Sequence, residues 1–291
     1  MRRVEKYNNY YFIEGALMSN ESEISDMTIQ EPLLSLEVIS KRPALGGTAH
    51  LKNTVIASDG LEYAVKSIKD GENSELKGLP NPKQIPASEW LCTRLGEMCG
   101  LPTPPCRVIN DTSESEHLFG SRYDLAAAAK PEDEVNFAAS LMSPSPILRK
   151  QVWAIYAFDQ FVYNIDRHLK NYLYTRNRDG DVTVQAFDFS LAAMVMGWPN
   201  KVGDGLIPPG YNTTNYWNAV KSLTYNDKTC RASALKILEN IGRINADDIE
   251  RIFLEMPGEW INPLHKEALT SWWVSSGKTD RINAVRAEVL K

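Results

Sequence analysis

Residues 161–190, FVYNIDRHLKNYLYTRNRDGDVTVQAFDFS, constrain this chain more than any other stretch. They set Asp166, Arg167, His168, Asn171 and Asp188 among apolar and aromatic residues. Charged side chains are rarely buried unless they are paired or bind a metal. NYLYT (171–175) and VTVQAF (182–187) are β-like, with RNRDGD between them, and read as a hairpin. A hairpin brings its entrance and exit together. Asn171 and Asp188 are therefore expected to converge, with Asp166 five residues upstream of Asn171. Two carboxylates and an amide oxygen are hard donors suited to Mg2+. Arg167 and His168 beside them suit an anionic substrate. The plainer alternative makes Asp188 a cap and Asp166–Arg167 a structural ion pair.

The rest of the chain sets bounds on that site. Its 291 residues suffice for one large domain or two lobes. The net charge of −5 excludes a strongly basic nucleic-acid footprint, so no direct nucleic-acid binding is expected. No apolar run reaches the ~18 residues of a membrane span. The first residues, MRRVEKYNNYYFIEGALMSNESEISDM, are broken by Glu14 and followed by acids, unlike a signal peptide. The expected compartment is the cytoplasm. Cys92, Cys99, Cys106 and Cys230 form no C-x-x-C pair and read as buried reduced thiols. The four histidines make no metal-binding spacing.

Along the chain, 1–27 reads as an extension and 28–122 as a β-rich lobe. Residues 123–291 read as a helical lobe that carries the hairpin. Within 33–69, alternating Leu34, Leu36 and Val38, then LKNTVIA and LEYAVKSI, predict a three-stranded meander. Its first turn is Pro43-Ala-Leu-Gly-Gly and its second is Asp59-Gly60. Tyr63 and Val65 share one face of the third strand; Ala64, Lys66 and Ile68 share the other. ASEWLCTRLGEMCG (87–100) predicts a helix with Ser88 as cap, a Leu91/Leu95 stripe and Gly100 as stop. Residues 145–165 predict a long helix, and further helices fall near 214–223, 230–241, 246–255, 262–275 and 278–290. SSGKT (275–279) lacks the first glycine and the strand of a Walker A loop, so Gly277 reads as a helix stop. TRNRDGD lacks the acids of a calcium loop, and SPSP (143–146) reads as a helix entry.

Protein kinases use a catalytic Asp, an Asn five positions on, and an Asp followed by Phe after a hairpin. Asp166, Asn171 and Asp188-Phe189-Ser190 repeat that order. YAVKSI places Lys66 on the third strand, as V-A-I-K does, and Glu89 lies 23 residues on, in a position to pair with it. NIDRHLKN followed by AFDFS, together with SEWLCTRLGEMCGLPTPP, resembles the HipA-like serine/threonine kinases of bacteria, over roughly 28–290. The resemblance is to the compact branch of that family; phosphatidylinositol kinases share the D-R-H-x-x-N string.

The resemblance implies an α+β, bilobal protein-kinase-like fold, ATP and Mg2+, and phosphorylation of Ser or Thr on a protein substrate. It also implies an antitoxin or operon partner and no membrane. By position, Asp166 looks like the catalytic base, and Asn171 and Asp188 like the metal ligands. Lys66 looks like the phosphate-binding lysine, with Glu89 as its partner. Gly46, Gly47 and Thr48 look like the loop over the phosphates, and HLFGS (117–121), with Phe119, falls at the adenine-binding hinge. His168 joins the cofactor-binding set. Two departures stand out. PALGGTAH replaces the phosphorylatable loop of the toxins, and Ser190 replaces the glycine of DFG, which bears on loop switching. A lipid kinase, a nucleotide-binding module without turnover, and transfer of AMP are the competing readings.

Overall fold

The computed structural model describes residues 35–43, 53–72, 78–123, 134–199 and 205–291. The extension 1–27 and the turn with Gly46, Gly47 and Thr48 lie outside the described residues. The unit Glu31–Lys291 is a mixed α+β fold, with a small β-rich region followed by a larger helical part.

The predicted meander forms from β1 (Leu36–Pro43), β2 (Asn53–Ala57) and β3 (Glu62–Lys66). Asp59 makes the turn before β3: its carboxylate accepts from the Leu61 N–H at 3.0 Å and the Tyr63 hydroxyl at 2.7 Å. The sheet continues as β4 (Cys106–Asp111) and β5 (Glu116–Arg122) and closes into a barrel in the order β1-β2-β3-β5-β4. Closure is by a short parallel pairing, Leu36 with Ile109 and Glu37 with Asn110. Strand alternation sorts the side chains into two sets. Val55, Ala57, Tyr63, Val65, Ile109 and Leu118 fill the barrel. Cys106, Val108 and Phe119 join the main core, which the helices share.

Lys66 ends β3, and Ile68 is no longer on the strand. The Asp70 carboxylate accepts the Ser67 N–H at 2.7 Å and starts the short helix α1 (Ile68–Glu72). Helix α2 (Ile85–Cys99) begins earlier than its sequence predicts, with Pro86 in its first turn. Ser88 is therefore not its cap but lies one turn inside. Gly100, at φ 76°, stops the helix by donating to the Glu97 and Gly96 carbonyls, as expected. Leu91 and Leu95 are buried.

The helical part consists of α3 (Glu134–Leu141), α4 (Ile147–Val162), α5 (Asn212–Thr224), α6 (Lys228–Arg243), α7 (Ala246–Leu254), α8 (Pro263–Val274) and α9 (Ser276–Leu290). Every residue of α4 from Val152 to Val162 is buried, so it is the spine of this part. Gly277 is not a stop: Ser275 accepts its N–H at 3.1 Å and caps α9. Burial lifts the Cys99 and Cys106 thiols to about 12, and all four cysteines are unbonded and buried. Among the described residues no helix is long and apolar enough to cross a membrane.

The hairpin forms as β6 (Tyr172–Arg176) and β7 (Val182–Ala186). Tyr172 pairs with Ala186, which brings Asn171 and Phe187 to one end of the ladder. Asn177 builds its turn by accepting the Asp179 and Asp181 N–H groups at 3.0 and 2.9 Å.

Candidate functional site

The loop 163–171 leaves α4 through Tyr163, whose φ of 57° turns the chain sharply. Asp159, one turn before the helix end, is fully buried and organises this loop. Its carboxylate accepts from Asn164 Nδ2 at 2.8 Å and from Arg167 Nε and Nη2 at 2.8 and 3.0 Å. The Arg167 Nη1 group reaches the Asn171 carbonyl at 2.6 Å and the Phe187 carbonyl at 2.5 Å. One guanidinium thus ties the helix, the loop and both ends of the hairpin. Thr213, at the start of α5, donates to the Asn164 carbonyl at 2.5 Å and accepts the Arg167 N–H at 2.8 Å.

This overturns the expectation of Arg167 at an anionic substrate, and with it the plainer alternative of an Asp166–Arg167 pair. Arg167 does not pair with Asp166, and at 1% exposure it cannot meet an anionic substrate. Its partner is Asp159, and its Nη1 protons are held by the Asn171 and Phe187 carbonyls. Asp166 is left at the loop surface, its side chain about one third exposed. Asn212 Nδ2 donates to its Oδ1 at 2.5 Å, and His168 Nε2 stands 3.9 Å from its Oδ2.

Asn171 Nδ2 donates to the Asp166 carbonyl at 2.7 Å, which fixes the amide orientation and turns Oδ1 away from that carbonyl. Asp188 follows β7 at φ 60°, a left-handed conformation uncommon outside glycine that Asp adopts more readily than most residues. Lys66 donates to Asp188 Oδ1 at 2.7 Å. Lys66 also pairs with Glu89 of α2 and donates to the Ser190 hydroxyl at 2.7 Å. Burial alone would pull the Lys66 ammonium down, but the Asp188 and Glu89 carboxylates together hold it above its ordinary value. Glu97, further along α2, is bonded to Arg94 at 2.6 Å and plays no part here.

Lys66, Glu89 and Asp188 are thus joined directly, Asn171 is tied to the hairpin exit through the Arg167 guanidinium, and Asp166 is tied to Asn171 through its backbone carbonyl. Phe119 belongs to the core. It sits in the middle of β5, opposite Lys66 in the register, and is 2% exposed. β4 pairs with 116–121 and β3 with 119–122, so Phe119, Gly120 and Ser121 have a strand on both sides, while His117 and Leu118 are paired with β4 alone. Residues 124–133, after β5, are outside the described set. A cavity of about 1120 Å3 bordered by Leu101, Lys150 and Ile237 contains none of these groups.

The donor set bears on a metal. Among the described residues no three His, Cys, Asp or Glu side chains are grouped to hold one. One carboxylate and one amide oxygen are a sparse set, which Mg2+ accepts when phosphate oxygens and waters complete its shell. Asn171 and Asp188 fit that requirement.

Sequence reasoning missed Asp159 and Asn212 as members of the site, took Ser88 for a helix cap, and noted Ser190 only as a replacement for glycine. Asp159 had a usable signal: a lone acid within the apolar run WAIYAFDQFV demands a buried partner.

Residues 58–193 match the family model described as HipA-like kinase. No curated protein matches the chain significantly. Among solved structures, the Helicobacter pylori proinflammatory kinase CtkA superposes with a TM-score of 0.55 at 14% identity. That alignment covers 88% of this chain and 98% of CtkA, and at such identity the likeness is one of fold. HipA of Shewanella oneidensis MR-1, solved with HipB and operator DNA, aligns at 12% identity and a TM-score of 0.43. It covers 77% of this chain and 60% of that one.

Proposed function

We propose that this chain, whose residues 58–193 match the HipA-like kinase model, transfers the γ-phosphoryl group of ATP to a Ser or Thr hydroxyl of a protein. The observation that carries this reading is the Lys66 ammonium, held between Glu89 on α2 and Asp188 at the hairpin exit. That three-residue link between strand, helix and hairpin is what phosphoryl transfer needs: a fixed cation beside a fixed carboxylate. In this reading Asn171 and Asp188 would hold Mg2+, which supplies charge neutralisation at the phosphates when bound. Lys66 faces the same phosphates, and Glu89 keeps it aligned. Asp166 accepts the proton of the acceptor hydroxyl; its exposure leaves it open to a protein substrate, and Asn212 orients it. His168, partly exposed beside Asp166, borders the substrate side. An antitoxin or operon-encoded partner belongs to the proposal on the family resemblance alone.

Calorimetric titration of Mg·ATP tests the site. The native chain is expected to bind ATP with Mg2+ present, and Asp188→Asn to lose that binding, because a charged ligand is removed. Unchanged Mg·ATP affinity in Asp188→Asn would count against the assignment.

Lys66→Ala and Glu89→Ala are expected to lower transfer non-additively, as partners in one buried pair do. Rates measured on both single variants and the double check this. A double variant that loses the full sum of both effects would separate Glu89 from Lys66.

A further inference from the structure

The turn after Asp188 is anchored in a way that the kinase pattern, with glycine at the third position, does not provide. Ser190 is 1% exposed and lies against α2. Its hydroxyl accepts from Lys66 Nζ at 2.7 Å and donates to Glu89 Oε1 at 2.9 Å. Lys66, Glu89 and Ser190 therefore form a closed triangle of mutual hydrogen bonds. The three protons of the ammonium are taken by Glu89, Asp188 and Ser190. One residue before Glu89, the Ser88 hydroxyl contacts the Phe189 carbonyl at 2.9 Å and the Ala192 carbonyl at 2.8 Å. Phe189, between the two serines in the contact, is fully buried, 5.9 Å from the Phe158 ring and 5.0 Å from the Arg167 guanidinium.

We propose that Ser190 is a positioning residue for the Lys66–Glu89 pair and that, together with Ser88, it latches the metal-ligand turn onto α2. The inference rests on the nucleotide reading of the site and adds to it a regulatory consequence. A glycine at position 190 offers neither hydroxyl nor restraint, so a turn that carries one is free to swing its aspartate away. Here the hydroxyl bonds hold Asp188 facing Lys66 and commit Glu89 to the same cluster. The turn is fixed in the facing arrangement, and any control of activity acts elsewhere than by swinging Asp188 out.

Two readouts test this. An acyl-phosphate derivative of ATP acylates lysine amines beside bound phosphates, and mass spectrometry reports the rate at Lys66. In the native protein Lys66 is expected to be acylated and protected by excess ATP. Ser190→Ala is expected to slow that acylation about tenfold or more per folded molecule, the scale of hydrogen bonds to charged groups. Ser190→Thr, which keeps the hydroxyl, is expected to restore most of the rate. Hydrogen exchange gives a second readout without nucleotide. Amides in 187–193 are expected to be protected in the native protein and to exchange faster in both Ser190→Ala and Ser88→Ala. Native-rate acylation in Ser190→Ala overturns the positioning role, even if that variant melts earlier. Unchanged exchange in both variants overturns the latch. A native protein whose Lys66 is not acylated, or not protected by ATP, overturns the nucleotide reading and the inference with it.

Discussion

Asp166→Asn is expected to reduce phosphoryl transfer by roughly 10²-fold or more, the range for loss of a positioned general base. The fold is expected to survive. The side chain is about one third exposed and accepts from Asn212 Nδ2 at 2.5 Å, while Asn171 holds the Asp166 backbone carbonyl at 2.7 Å. An amide is nearly isosteric, its oxygen can accept from Asn212, and the backbone contact is untouched. Mg·ATP binding is also expected to persist, because Asn171 and Asp188 remain. A structural role predicts the reverse: a lowered melting temperature with normal transfer in the folded fraction. Thermal unfolding and transfer measured on one preparation separate the two.

Arg167→Ala is expected to lower the folding free energy by about 3–5 kcal/mol, the cost of stranding one partner of a buried pair. Asp159 would be left as an uncompensated buried carboxylate. The Asn171 and Phe187 carbonyls would also lose their shared donor. Denaturant unfolding of the native chain and the variant measures this. Asp159→Leu with Arg167→Met is expected to cost less than Arg167→Ala, since no buried charge is left alone. A change under about 1 kcal/mol in Arg167→Ala would show that the guanidinium does not hold the loop. Transfer is expected to suffer as severely, through loss of the fold, but the stability readout isolates the cause.

The hairpin was legible because period-two alternation and the RNRDGD turn are local signals. Lys66 and Glu89 were legible for the same reason: each sits on an element whose facing side the pattern fixes. Helices α2 and α4 to α9 were legible within a few residues, while α1 and α3 were not predicted, and helix ends were less legible, as Ser88 shows. Its hydroxyl looked free to cap α2, yet it is spent on carbonyls 101 and 104 residues away. Contacts of that span leave no mark on the local pattern. Barrel closure through Leu36 and Ile109 is hidden in the same way. Arg167 shows how charge misleads. Next to Asp166 in sequence, it turns inward to Asp159, eight residues back, because buried charge seeks a buried partner. Phe119, expected at the hinge from the resemblance, lies inside β5, where a strand flanks it on both sides.

The site built on Lys66, Glu89 and Asp188 is proposed to move the terminal phosphoryl group. Incubation with Mg2+ and ATP labelled at either the γ or the α phosphate tests it directly. The account predicts γ label on a Ser or Thr of a protein substrate or of the chain itself, no α label, and loss of the γ label in Asp166→Asn. Stable α label on protein would mean AMP transfer, and ATP binding with neither label transferred would mean a module without turnover; either result contradicts the claim.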